Sequence, residues 1–168
     1  IKYVADPYDK LPAITYWLMG SFSTASYENV SLVSIPIIFG CAVLYFLRWK
    51  INILSMGDEE ATALGVNPFK LRLIIIAMAT LITAACVTIT GIIGWVGLVI
   101  PHICRMLIGV DHQKLLLISI IVGAIFMIIV DLIARSAIAA EIPIGIITAL
   151  VGAPFFACLF YRTRGDWK

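Results

Sequence analysis

LIIIAMATLITAACVTITGIIGWVGLVIPHIC, residues 73–104, runs its whole length without a formally charged side chain. As one straight helix it would reach about 48 Å at 1.5 Å per residue. A hydrocarbon core of ~30 Å does not absorb that length comfortably. Gly91, Gly94, Gly97 and Pro101 supply a break, so the run divides into a helix over 71–90 and a shorter arm over 93–108. Outward from it, Ser31 to Leu47 is a second charge-free run, closed by Arg48 and Lys50. Spans over 31–48, 115–135 and 142–161 complete the set. The chain is 62% hydrophobic and 13% charged, with mean hydropathy +1.06. Soluble domains are roughly 45–50% apolar and 25% charged, and charge-free runs here exceed the ~18 residues that signal a transmembrane helix. An unusually greasy soluble core is thereby excluded.

Placement of Lys and Arg tests the break, because cytoplasmic loops carry the positive excess. With it, Arg48, Lys50, Lys70, Arg72, Arg105, Lys114, Arg162, Arg164 and Lys168 share one side against Lys2, Lys10 and Arg135. Without it, the sides hold five and seven, which is no bias. The broken hairpin puts the 49–72 loop and the C-terminus in the cytoplasm. Leu11 to Tyr27 is also charge-free, and counting it as a span would sharpen the bias to eleven against one. It contains Pro12, Gly20 and several hydroxyl residues, however, while Tyr16, Trp17 and Phe22 suit a membrane boundary. It is expected to be an interfacial helix on the outer face, within a boundary region over 1–30.

Gly57 to Gly65 (GDEEATALG) is a polar island between spans. Asp58 is expected to cap a short helix whose first turn carries Glu59 and Glu60. Gly65 suits the left-handed position after that helix. Asn67 and Pro68 then cap and open the next one. On the residues alone, this helix-turn-helix over 51–70 is either a solvated connector or a docking element.

Asp131 and Arg135 stand four apart near the outer end of an apolar helix, as a self-neutralising pair or as a functional charge. His102 and Arg105 share a face of the short arm, and a lone histidine without clustered ligands is more often structural than metal-binding. Gly145, Ala149 and Ala153 recur every four residues, with Gly152 beside them, a spacing that lets helices pack closely in lipid. Pro154 kinks the same helix. Cys41, Cys86, Cys104 and Cys158 lie in apolar segments without a C-x-x-C pair, so neither a disulfide nor a metal site is expected. No phosphate-binding G-x-x-x-x-G-K-S/T motif is present. The chain opens at Ile1 with no signal peptide and reads as a piece of something longer.

Several stretches resemble one family. Glu60-Ala61 followed by Gly65 is similar to the coupling-loop motif of permeases in ATP-binding-cassette importers. GWVGLVIPHICR (94–105), DLIAR (131–135), EIPIGIITALVGAPFF (141–156) and YWLMGSF (16–22) resemble, in order, the iron-chelate and cobalamin permeases of the FecCD type, also called type II importers. Nearly the whole chain is covered, corresponding to the C-terminal half of such a permease. The resemblance implies an all-α polytopic membrane protein with about five transmembrane helices, one of them broken and short. It further implies that Gly57, Asp58, Glu59, Glu60, Ala61, Leu64 and Gly65 meet an ATPase subunit, which would hold ATP and magnesium while this chain holds no cofactor. Arg135 and Glu141 would meet a substrate-binding protein. Trp17, Gly20, Pro101, Gly145, Ala149, Gly152 and Pro154 would line the translocation path or a homodimer interface. The setting would be a bacterial or archaeal cytoplasmic membrane, and no nucleic acid is implied.

The expected function is that of a non-catalytic permease subunit moving an iron-siderophore, haem or corrinoid by alternating access. Two other readings stay open: an intramembrane metal or haem redox subunit using His102, His112 and the cysteines, and a passive channel.

Overall fold

A computed structural model describes residues 10–23, 25–109, 111–137 and 142–163. Among them are seven helices and no strand. α1 (Lys10–Met19) has ten described residues, which rise about 15 Å, half a hydrocarbon core. α2 (Tyr27–Leu54) starts where the Ser26 hydroxyl accepts the Asn29 N–H at 3.2 Å. It continues past Arg48 and Lys50, where the charges were expected to close a 31–48 span. Arg and Lys are good helix formers, so these charges end the apolar stretch without ending the helix. At 28 residues α2 is about 42 Å long, and its last turns project beyond the hydrocarbon.

α3 (Asp58–Ala63) is the short loop helix. α4 (Pro68–Thr90) opens as expected at Asn67, whose side chain accepts the Lys70 N–H at 3.0 Å. It stops at Gly91, with φ 67° and ψ −159°, a conformation open essentially only to glycine. Residues 91–95 are non-helical, so the arm α5 (Val96–Ile108) begins later than the expected 93. α6 (His112–Ser136) begins earlier than the expected 115, because Asp111 accepts the Gln113 N–H at 3.0 Å and caps it. α7 (Ile144–Thr163) is the last described helix, starting two residues after the expected 142.

α2, α4, α6 and α7 are long and apolar enough to cross a membrane, while α5 is a shorter apolar helix rising about 20 Å. α2 packs on α4 and α6, and α5 packs on α6 and α7. Three buried clusters hold these contacts: Ile53, Ala61, Val66 and Leu71 beneath α3; Ile100, Cys104 and Leu115 between α5 and α6; Val130, Ala134 and Ile144 between α6 and α7. Large apolar side chains such as Leu32, Leu132 and Leu150 remain exposed. Such faces suit lipid or further helices.

Candidate functional site

The α3 end is a folded element. Its N-cap is Gly57, with no side-chain cap bond, which corrects the expectation that Asp58 caps it. Asp58 is instead the first helical residue, and its carboxylate takes two hydrogen bonds from the Arg72 guanidinium, at 2.6 and 2.8 Å. A bidentate charge-assisted pair outbids a single neutral N–H. The Arg72 hydrogen bond, with its charge, holds the Asp58 carboxyl below the usual carboxylate range.

The far end of α3 closes as the glycine spacing predicted. Gly65 has φ 76°, its N–H donates to Thr62 O at 3.0 Å, and the Val66 N–H donates to Ala61 O at 2.8 Å. This paired arrangement satisfies carbonyls that a helix end leaves open, and it brings together the flanking apolar residues. Ala61 is fully enclosed against Ile53, Val66 and Leu71. Of the expected contact residues, then, Ala61 faces inward as the anchor. Asp58, Glu59, Glu60, Leu64 and Gly65 are exposed, and Gly57 is half-buried. Arg72, which no local spacing marks as the partner of Asp58, was missed.

A second assembly surrounds the helix break. The Ser21 N–H donates to Thr90 O, and the Ile144 N–H donates to Gly20 O, both at 2.9 Å. These bonds tie the end of α1 to the end of α4 and the start of α7. The glycines make the approach possible: a Cβ on Gly91 would strike the Trp17 carbonyl oxygen, and one on Gly145 the Met19 carbonyl oxygen. Trp95 closes the break with φ 70°, a left-handed conformation that a bulky residue holds only where the surroundings impose it. Its indole packs on Gly152, where a Cβ would lie 2.6 Å from Trp95 Cγ, and on the Phe156 ring at 5.6 Å.

Beside this junction lies an open groove of about 650 Å³, lined by Leu18, Met19, Ile92, Trp95, Ala149 and Pro154 among others, none of them charged. Of the residues expected on a path or interface, Gly145, Ala149 and Pro154 reach this groove, Gly20 ties the junction, and Gly152 carries Trp95. Trp17 lines smaller neighbouring cavities, and Pro101 lies half-buried within α5. The four-residue stripe of α7 is only partly an inward face. Gly145 and Gly152 pack inward together with Thr148, 1% exposed, whereas Ala153 is exposed. Thr148 was missed because its own hydroxyl bonds back to Gly145 O at 3.1 Å, which hides a polar residue in a packed face.

Arg135 holds Asp131 through Nε at 2.9 and 3.0 Å, on the end of the molecule opposite α3. The expected pair is therefore formed, with the arginine side chain about half exposed. Glu141 lies outside the described residues. His102 packs edge-on against Phe155. Among the described residues, no three His, Cys, Asp or Glu side chains gather where they could hold a metal.

The FecCD transport family matches residues 1–162. The molybdate import system permease protein MolB of Haemophilus influenzae is 46% identical over 98% of this chain and 49% of its own length. A probable iron chelatin transport system permease protein of Helicobacter pylori is 42% identical over 98% of this chain and 50% of its own length. A solved structure described as an inward-facing conformation of a putative metal-chelate type ABC transporter superposes with TM-score 0.90. It is 46% identical and covers 96% of this chain and 52% of its own. The chain thus spans about half the length of the curated relatives it matches. With four helices able to span a bilayer, a shorter apolar fifth among them, and these matches along almost its whole length, this multi-pass membrane chain belongs to the FecCD transport family.

Proposed function

We propose that the chain is part of the permease subunit of an ATP-driven importer that moves a metal chelate across the cytoplasmic membrane by alternating access. The observation that carries this reading is the α3 loop. It is a short, internally pinned helix that offers Glu59, Glu60 and Leu64 outward on a rigid base, with Arg48, Lys50, Lys70, Arg72, Arg105 and Lys114 at the same end. A rigid helix that fits a groove transmits displacement, whereas a floppy connector absorbs it. The positive excess puts that end in the cytoplasm, where ATPase subunits would dock and do the hydrolysis. The chain itself would do no covalent chemistry.

Arg135, at the opposite end, would meet a substrate-binding protein, as would Glu141, and a second permease copy would complete the path. The uncharged groove suits a bulky chelate that is handed over from outside and bound weakly. One observation favours a second substrate class, an oxyanion: the 46% identical relative is named for molybdate import.

The test is uptake by proteoliposomes holding the full-length permease, its ATPase and its binding protein. A ferric hydroxamate that accumulates only with ATP supports the chelate reading. Molybdate accumulating instead would replace the substrate class, and flux without nucleotide would overturn the importer reading in favour of a channel.

A further inference from the structure

The α3 loop and the groove lie at opposite ends of the molecule, so a displacement at one must be carried to the other. Asn52 sits on the part of α2 that projects beyond the hydrocarbon. Its neighbour Ile53 is 6% exposed and packs against Ala61 of the loop. The Asn52 side chain turns the other way: its Oδ1 accepts the backbone N–H of His112 at 3.1 Å, across sixty positions of sequence. His112 is the first residue of α6, so this N–H is one that the helix leaves without an internal partner. The imidazole Nδ1 beside it is enclosed, with no partner among the described residues. Three residues on, Leu115 is buried against Ile100 and Cys104 of α5. Trp95, the residue just before that arm, stands on the wall of the groove.

We infer that Asn52 is a positioning residue that ties the α3 loop to the α5–α6 hairpin through the His112 N–H, so that loop displacement moves the wall of the groove. This rests on the docking role proposed above for the loop. Apolar contacts alone permit sliding; a directional bond at the start of a helix fixes register.

Two substitutions remove the bond from opposite sides. Asn52→Leu deletes the acceptor. His112→Pro deletes the donor at the one helical position where proline fits, and Asp111, with φ −67° and ψ 104°, already has the extended conformation that a following proline requires. Asn52→Asp keeps an acceptor and places its charge favourably at a helix N-terminus.

The experiment uses the full-length permease assembled with its ATPase and carrying Ala149→Cys on the groove. The rate of maleimide labelling at that cysteine is read by peptide mass spectrometry with and without a non-hydrolysable ATP analogue, alongside ATPase co-purification. The nucleotide-dependent change in labelling should fall about threefold to tenfold in Asn52→Leu and in His112→Pro, consistent with loss of one hydrogen bond. The double variant should fall no further, Asn52→Asp should respond as the parent does, and the ATPase should remain bound throughout. A full response in Asn52→Leu or His112→Pro, or an Asn52→Asp protein as defective as Asn52→Leu, would overturn the link while leaving the docking role standing. Absence of the ATPase from the parent protein would overturn both.

Discussion

Gly91→Ala tests the junction at the helix break. Two costs combine at this position. Its φ of 67° and ψ of −159° lie in a region where a residue with a Cβ is strained by about 1–3 kcal/mol. The added methyl would also meet the Trp17 carbonyl oxygen and lie 3.1 Å from the carbonyl carbon. The obstacle is backbone rather than a movable side chain, and overpacking of this kind adds about 1–3 kcal/mol. The sum, roughly 2–6 kcal/mol, is a large part of a typical domain's stability. The expected response is that α1 is pushed off the break and the Ser21–Thr90 and Gly20–Ile144 bonds lengthen or part. Gly97→Ala is the control: it lies in α5, and its Cβ would meet nothing within 4 Å. Thermal melting of the full-length permease in detergent reads both. Gly91→Ala should melt several degrees below the parent, and Gly97→Ala at or above it, since alanine is the better helix former. Gly91→Ala melting with the parent would refute the junction geometry.

Three further outcomes follow from the same contacts. Ala61→Leu forces three extra carbons into the closed cluster with Ile53, Val66 and Leu71; the loop should lose about 1–3 kcal/mol of local stability, seen as faster amide exchange at Gly65 and Val66, and exchange at the parental rate would contradict the packing. Trp95→Gly should be more stable than Trp95→Ala by about 1 kcal/mol, because both lose the indole but only glycine escapes the left-handed strain; equal melting temperatures would deny that strain. The Asp58 carboxyl is held below its ordinary value by Arg72, so the pair's contribution is complete above the unfolded carboxylate pKa and is lost only as pH falls through the lowered folded one; loop proteolysis in the parent should be flat from pH 5 to 8, and acceleration within that window would count against the pair.

What could be read from the sequence was local backbone chemistry. Asn67, Pro68 and Gly65 each answer to a conformation of their own residue, and each sits where the spacing predicted. Gly91 marks the break for the same reason. The charges at Arg48 and Lys50 mark where the apolar span closes but not where α2 ends, at Leu54, because a charge limits burial in lipid, not helical conformation. The Asp58–Arg72 pair was illegible since it depends on the angle at which α3 meets α4, fourteen residues apart. On α7, steps of four from Gly145 rotate steadily, so Ala153 stands about 80° from it while Gly152 is only about 20° away. The inward face therefore follows Gly145, Thr148 and Gly152, and the partner that selects it, Trp95, sits on another helix.

On the function proposed above, the α3 loop is the surface an ATPase subunit grips. Mild-detergent extraction of the tagged full-length permease, with and without the paired substitutions Glu59→Lys and Glu60→Lys, tests it most directly. Both carboxylates are exposed, so their reversal should leave the overall fold in place and cost the loop only the favourable charge in the first turn of α3, about 0.3–1 kcal/mol for each residue. An ATPase subunit should co-purify with the parent and be lost from the reversed form. A reversed form that still holds the ATPase, or a parent that never does, would contradict this docking role.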